Sequence, residues 1–115
     1  MCVTAIKRIA KERQEQISKH GRTVYHDSKI NDQEQLAKAA AYLIECDESD
    51  EDKLHGLYCP NGWDLLVWLK MCKKHQIERL IISAALLAAE IDRIEYTIDN
   101  LYSEVNTKGD EQKKG

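Results

Sequence analysis

The sequence predicts an all-α fold: a compact three- to four-helix bundle whose last helix is the longest. Three observations carry this expectation. The 115 residues include one Pro, five Gly and no Phe, and helix interiors exclude Pro and disfavour Gly. The chain is rich in Ala, Leu, Ile, Glu, Lys and Gln, which lose little rotamer freedom in a helix. In the long segments, apolar residues recur at three- and four-residue steps, the period of a helix with one buried face.

The first helix is expected from about Val3 to Lys19. Ile6, Ile9, Ala10 and Ile17 recur along one side, with Arg13 beside them, and Gly21 is a stop signal. Residues 22–30 have no clear period and read as a loop rich in polar groups. A second helix is expected near Asn31, where Asn31 and Glu34 form a capping-box-like pair. Its body, Leu36 to Ile44, carries alanines that permit close helix approach and suits the centre of a bundle. The acidic run Asp47–Asp52 reads as a solvated loop, because its like charges repel. Calcium binding there would need the Gly and terminal Glu spacing of an EF-hand, which the run lacks. Pro60-Asn61-Gly62 is a turn signal. The short helix after it, Trp63 to Cys72, is apolar around much of its circumference, which implies burial or a subunit interface. Trp68 reads as core.

The last helix, from Gln76 to about Glu104, has apolar residues at Ile77, Leu80, Ile81, Ala84, Leu87, Ala88, Ile91, Ile94, Ile98 and Leu101. This is a near-heptad stripe. The polar end, 106–115, reads as a flexible tail on a single helical domain, 1–105.

Composition narrows the function classes. Hydrophobic residues make up 43% and charged residues 32%, so a packed core is within reach. The formal charge is −3, with 17 Lys+Arg against 20 Asp+Glu, which argues against a duplex-DNA binder. No apolar run is long enough to cross a bilayer, and the start, Met1 to Arg8, lacks a secretory apolar region. The expectation is a cytoplasmic protein with no membrane partner. A domain this small buries a limited share of its surface, which favours a homo-oligomer.

The four cysteines, Cys2, Cys46, Cys59 and Cys72, form no CxxC pair. Without a secretory signal a disulfide framework is not expected. Cys59, Cys72, His75 and His55 can be assembled into a zinc site on paper, but no knuckle spacing supports it, and separate packed thiols are the plainer reading.

Two constellations bear on chemistry. Arg13, His20 and Arg22 supply donors for phosphate, Tyr25 and His26 stand beside them, and Tyr25, Tyr42, Trp63 or Trp68 could stack on a base. This predicts a ligand-binding set of Arg13, His20, Arg22, Tyr25 and His26 for a nucleotide-like anion, with no metal or other cofactor. The alternative is a Mg²⁺-dependent enzyme with Glu12, Asp27 and Glu90 as carboxylate ligands, since Mg²⁺ takes hard oxygens and bridges phosphates. The plainer reading is that Glu12 and Asp92 are solvated and that Glu90 forms salt bridges. No nucleophile motif, Walker loop or dinucleotide fingerprint is present.

Four segments carry a resemblance: Arg8 to Ile17, Gly21-Arg22-Thr23 followed by His26-Asp27, Leu36 to Tyr42, and Ala84 to Ile94. Together they resemble a family of small, largely uncharacterised tailed-phage and prophage proteins. Arg22 stands where that family usually has Trp, Ser28 where a second Asp is common, and Gln35 at a position that is often Glu. A weaker likeness is to the MazG-type all-α nucleoside triphosphate pyrophosphohydrolases, through helical architecture and acidic positions on two helices. Glu90 is followed three residues later by Arg93 rather than an acid, so no catalytic site is carried over. The phage resemblance implies a setting in which small helical proteins sequester host immune nucleotide signals.

The leading expectation is therefore a phage accessory protein that binds a nucleotide-like anion without catalysis. A MazG-like Mg²⁺ pyrophosphohydrolase and a helical protein–protein interaction module are the alternatives.

Overall fold

The computed structural model describes the backbone of residues 3–20, 23–32 and 34–114, and their side chains except at 3, 20, 24, 30 and 104–114. Six helices occur among the described residues: α1 Val3–His20, α2 Val24–Ile30, α3 Gln35–Glu45, α4 Asp52–Leu57, α5 Leu65–Cys72 and α6 Gln76–Lys114. The fold is all-α with a long C-terminal helix, and no strand occurs among those residues. At ~1.5 Å rise per residue α6 is about 58 Å long, and it sets the 64 Å long axis of the molecule.

α6 is the spine, and α1, α2 and α3 each pack against it, α3 most extensively. The central position of α3 follows from its alanines. Ala39 and Ala40 are buried, and so are Ala85 and Ala89 on α6. Small side chains on facing helices let the backbones approach, while Leu36, Leu43, Ile82 and Leu86 fill the space around them. Trp68 and Cys72 bring α5 into the same core, and Trp68 is fully buried as its position predicts.

The helix count exceeds the expected three to four because two short helices form in polar sequence. The segment 22–30, expected as a loop, contains α2. Thr23 begins it, its hydroxyl accepting from the His26 amide at 3.2 Å. Asn31 does not start the next helix. It ends α2, its amide donating to the Asp27 carbonyl. α3 starts at Gln35 behind Glu34, which makes no side-chain cap and sits at φ 64° in the left-handed region that favours Gly or Asn.

The acidic run folds into a turn. Asp47 Oδ1 accepts from the Ser49 amide at 2.9 Å and from its hydroxyl at 2.7 Å. These bonds hold the Asp47 carboxyl below its usual range. Asp52 then opens α4 and pairs with Lys73 at 2.5 Å. The Pro60–Gly62 turn forms as predicted. The Trp63 amide donates to the Pro60 carbonyl at 3.1 Å, with Gly62 at φ 84° supplying the positive dihedral such a turn requires. Asp64 caps α5 by accepting from the Val67 amide at 3.0 Å.

Two further expectations change. On α1 the apolar stripe is only partly covered: Ile6 and Ala10 are exposed, Ile9, Arg13 and Ile17 are half-buried, and Gln16 is the buried residue among the described side chains. α6 continues past Glu104 to Lys114, through most of the expected tail. Gly21 and Arg22 lie outside the described residues.

Candidate functional site

The residues singled out for chemistry fall on α1, α2 and α6. Arg13 is mostly covered, its Nη2 3.9 Å from Asp92 Oδ2 across the α1–α6 contact. Tyr25 is exposed, and the Lys29 ammonium lies 5.7 Å from its ring centroid. His26 is half-buried, with Nδ1 3.9 Å from Asp27 Oδ1. Arg22 and the side chain of His20 lie outside the described residues.

Of the three candidate carboxylates, Asp27 and Glu90 are buried. Asp27 Oδ1 accepts from Asn31 Nδ2 at 2.7 Å, and Asn31 Oδ1 accepts from Trp63 Nε1 at 2.7 Å. This relay ties α2 to the segment that precedes α5. Glu90 Oε1 accepts from Arg93 Nε, one turn on. Glu90 Oε2 and Gln16 Oε1 are buried with no hydrogen-bond partner among the described residues. Glu12 lines a shallow cleft of about 280 Å³ between α1 and the start of α6. Arg8, Lys11 and Lys74 there alternate with Glu15 and Glu78, so the cleft carries no single-sign field. Among the described residues no group of three or more His, Cys, Asp or Glu is placed to hold a metal ion.

The cysteine and histidine candidates for zinc have separate tasks. Burial pushes the Cys72 thiol up to about 12 and raises those of Cys46 and Cys59. His75 Nδ1 accepts from the Ile77 amide at 3.2 Å, at the start of α6. His55 is fully buried, and its Nδ1 shares a 2.7 Å hydrogen bond with the Tyr42 hydroxyl. Its carbonyl accepts from Trp68 Nε1 at 2.8 Å.

That last pair belongs to an aromatic cluster joining α3 to α4 and α5. Tyr42 stacks on Tyr58, with centroids 4.5 Å apart and planes 19° from parallel. Tyr42 also meets His55 edge-on and Trp68 at a tilt, and Trp63 meets Trp68 edge-on. Burial pushes the Tyr42 phenol up to about 12. Beside the Tyr42–Tyr58 stack opens the larger cleft, of about 510 Å³, between α3 and residues 57–61. Leu57, Cys59 and Pro60 give it an apolar floor, and Gln35, Lys38, Glu45 and Asn61 supply its polar groups. A volume of this size with aromatic walls and a few polar groups is that of a small-molecule site.

The structure thus brings together a set that sequence reasoning reached only in part. Tyr42 was foreseen as a base-stacking candidate. Tyr58, Lys38 and Asn61 were not, and the expected Arg13, Tyr25 and His26 do not line this cleft. The one local signal was the turn at Pro60–Gly62, at the end of the segment that lines the cleft. Compared with known proteins, the chain matches no family model, no curated protein and no solved structure.

Proposed function

We propose that the protein is a non-catalytic binding module for a small nucleotide-like anion, held in the cleft between α3 and residues 57–61. The observation that carries this reading is the Tyr42–Tyr58 stack on the cleft wall. Tyr58 is 55% exposed and offers an open ring face. Stacking of a base on an aromatic side chain contributes about 1–3 kcal/mol and suits any base. The Lys38 ammonium supplies a phosphate partner. The exposed Asn61 amide can both donate to and accept from ring heteroatoms. Glu45 repels phosphate from its side and thereby orients the ligand toward Lys38.

The likeness of the motif segments to small tailed-phage proteins supports a setting in an infected or lysogenic cell. There a module without catalysis would withdraw a nucleotide signal of host immunity. The setting is argued from resemblance and chemistry, since an all-α fold alone licenses no function.

The test is incubation of the pure protein with linear and cyclic nucleotides and Mg²⁺, followed by chromatography before and after heat denaturation. A nucleotide depleted before heating and recovered intact afterwards supports sequestration. In that case Tyr58→Ala and Lys38→Ala abolish the depletion, while Arg13→Ala leaves it. Loss with Arg13→Ala alone moves the site to the α1–α2 side. Conversion of the nucleotide means catalysis, and no depletion overturns the proposal.

A further inference from the structure

Helix α6 has two apolar faces, and its own chain covers one of them. Assigning Ile77 to position a of a heptad places Ile77, Ala84, Ile91 and Ile98 at a, and Leu80, Leu87, Ile94 and Leu101 at d. The stripe runs unbroken through all four a–d pairs. Seven of these residues, all but Ala84, are 42–58% exposed. The residues that α6 buries, Arg79, Ile82, Ser83, Ala85, Leu86, Ala89, Glu90 and Arg93, occupy positions b, c, f and g. In a helix b, c and f lie opposite the a–d seam and g lies beside it, so the covered face stops at the edge of the seam and leaves the a and d residues other than Ala84 exposed.

The geometry points to a parallel two-stranded coiled coil formed by α6 of two copies of this chain. The occupant is a second copy because the seam is self-complementary, as an isologous interface requires. The side-chain choice sets strand number and direction: β-branched Ile at a with Leu at d favours parallel dimers. Three of the four a positions are Ile and three of the four d positions are Leu. The flanking positions of the first two heptads carry no exposed charge. Ile81 and Ala88 at e are half-buried and Ser83 at g is buried, while Glu90 at g is bonded to Arg93. Seven half-exposed Leu and Ile side chains offer apolar surface on the order of the ~800 Å² per partner of a standard specific interface. With the bundle on the far side of each helix, two bodies stand at the same end on opposite flanks.

The experiment is sedimentation equilibrium of the full chain, with the double variant Ile91→Glu/Ile98→Glu beside it. The expected mass for the wild type is twice 13.2 kDa. Both substituted positions are exposed in the single chain, so the variant keeps its near-ultraviolet tryptophan signal. It dissociates roughly 100-fold or more readily, because two charges per chain enter an apolar seam. Direction is read from Ile98→Cys under mild oxidation. A homotypic disulfide at position 98, mapped by mass spectrometry and absent from oxidised wild type, is expected of parallel strands. A monomer at every concentration, leaving the seam to a different protein, overturns the proposal. So does a trimer or larger species, a dimer that survives the double variant, or a stable dimer that does not cross-link at position 98.

Discussion

Arg79 Nη1 donates to the Leu43 carbonyl at 2.7 Å, carrying a charge from α6 onto the C-terminal end of α3. The same nitrogen donates to the Cys46 carbonyl at 2.7 Å, and Nε donates to the Lys74 carbonyl at 3.0 Å. One buried guanidinium thus satisfies carbonyls from two chain segments, and the helix dipole favours its charge there. Arg79→Ala is expected to cost about 3 kcal/mol of stability in urea unfolding, since it strands buried carbonyls. Arg79→Lys should restore less than half of that, because an ammonium lacks the planar fork that spans several acceptors.

Asn31 occupies a comparable bridging place between Asp27 and Trp63. Asn31→Ala removes both bonds at a buried position, with an expected loss of about 2 kcal/mol. Trp63→Phe should lose less, and the double variant should lose less than the sum of the two. A double-mutant cycle by chemical denaturation measures that coupling. Strict additivity would mean that the Asn31–Trp63 bond contributes nothing.

The core prediction contrasts two residues of α5. Trp68 is fully buried and Leu66 is 70% exposed. Trp68→Ala is expected to cost about 3–5 kcal/mol through the cavity it leaves. Leu66→Ala should stay within about 0.5 kcal/mol. Thermal unfolding at matched pH separates the two.

Alkaline pH should weaken the fold. The Tyr42 phenol is raised from 10.0 to about 12, and the Cys72 thiol from 9.0 to about 12, chiefly by burial. Both groups are neutral when protonated. Each contributes stability that is fully present below its unfolded value and lost as pH rises through its folded one. Stability is therefore expected to fall progressively from about pH 9 to pH 12. Absorbance at the tyrosinate band should show one of the five tyrosines titrating last. In the same experiment Cys72 should resist a thiol reagent until the chain unfolds. A flat stability profile through that window would remove the burial argument for both groups.

How much of this was legible in the sequence depends on the range of the interactions. The bodies of α3, α5 and α6, the turn at Gly62 and the burial of Trp68 follow from local patterns that each segment carries itself. α2 does not, because a seven-residue helix in polar sequence is held by the Thr23 cap and by docking on α6. Periodicity marked an apolar side on α1, yet the bundle covers Gln16 and leaves Ile6 exposed. On α6, the stripe read from the sequence is the exposed face, and the face that the bundle covers, with Ile82, Ala85, Leu86 and Ala89, lies outside it. The cleft was the least legible feature. Lys38 and Tyr58 are twenty positions apart, and they line one space because Tyr58 stacks on Tyr42 of α3. The carboxylates were visible as residues, but their burial beside Asn31 and Arg93 is a tertiary fact.

The last buried side chain described on α6 is Arg93, and those from Ile94 to Ser103 are exposed or half-buried. An isolated helix draws little stability in water from its own backbone. The distal turns of α6 therefore depend on what the chain meets in solution, while α3 depends only on its own bundle. With two copies engaged, protection of backbone amides beyond Arg93 becomes a function of dilution. Those amides should exchange with solvent faster as the protein is diluted, and those of Ala39 and Ala40 should keep one rate throughout. A single continuous helix would then report two free energies, one intramolecular and one set by the amount of protein present.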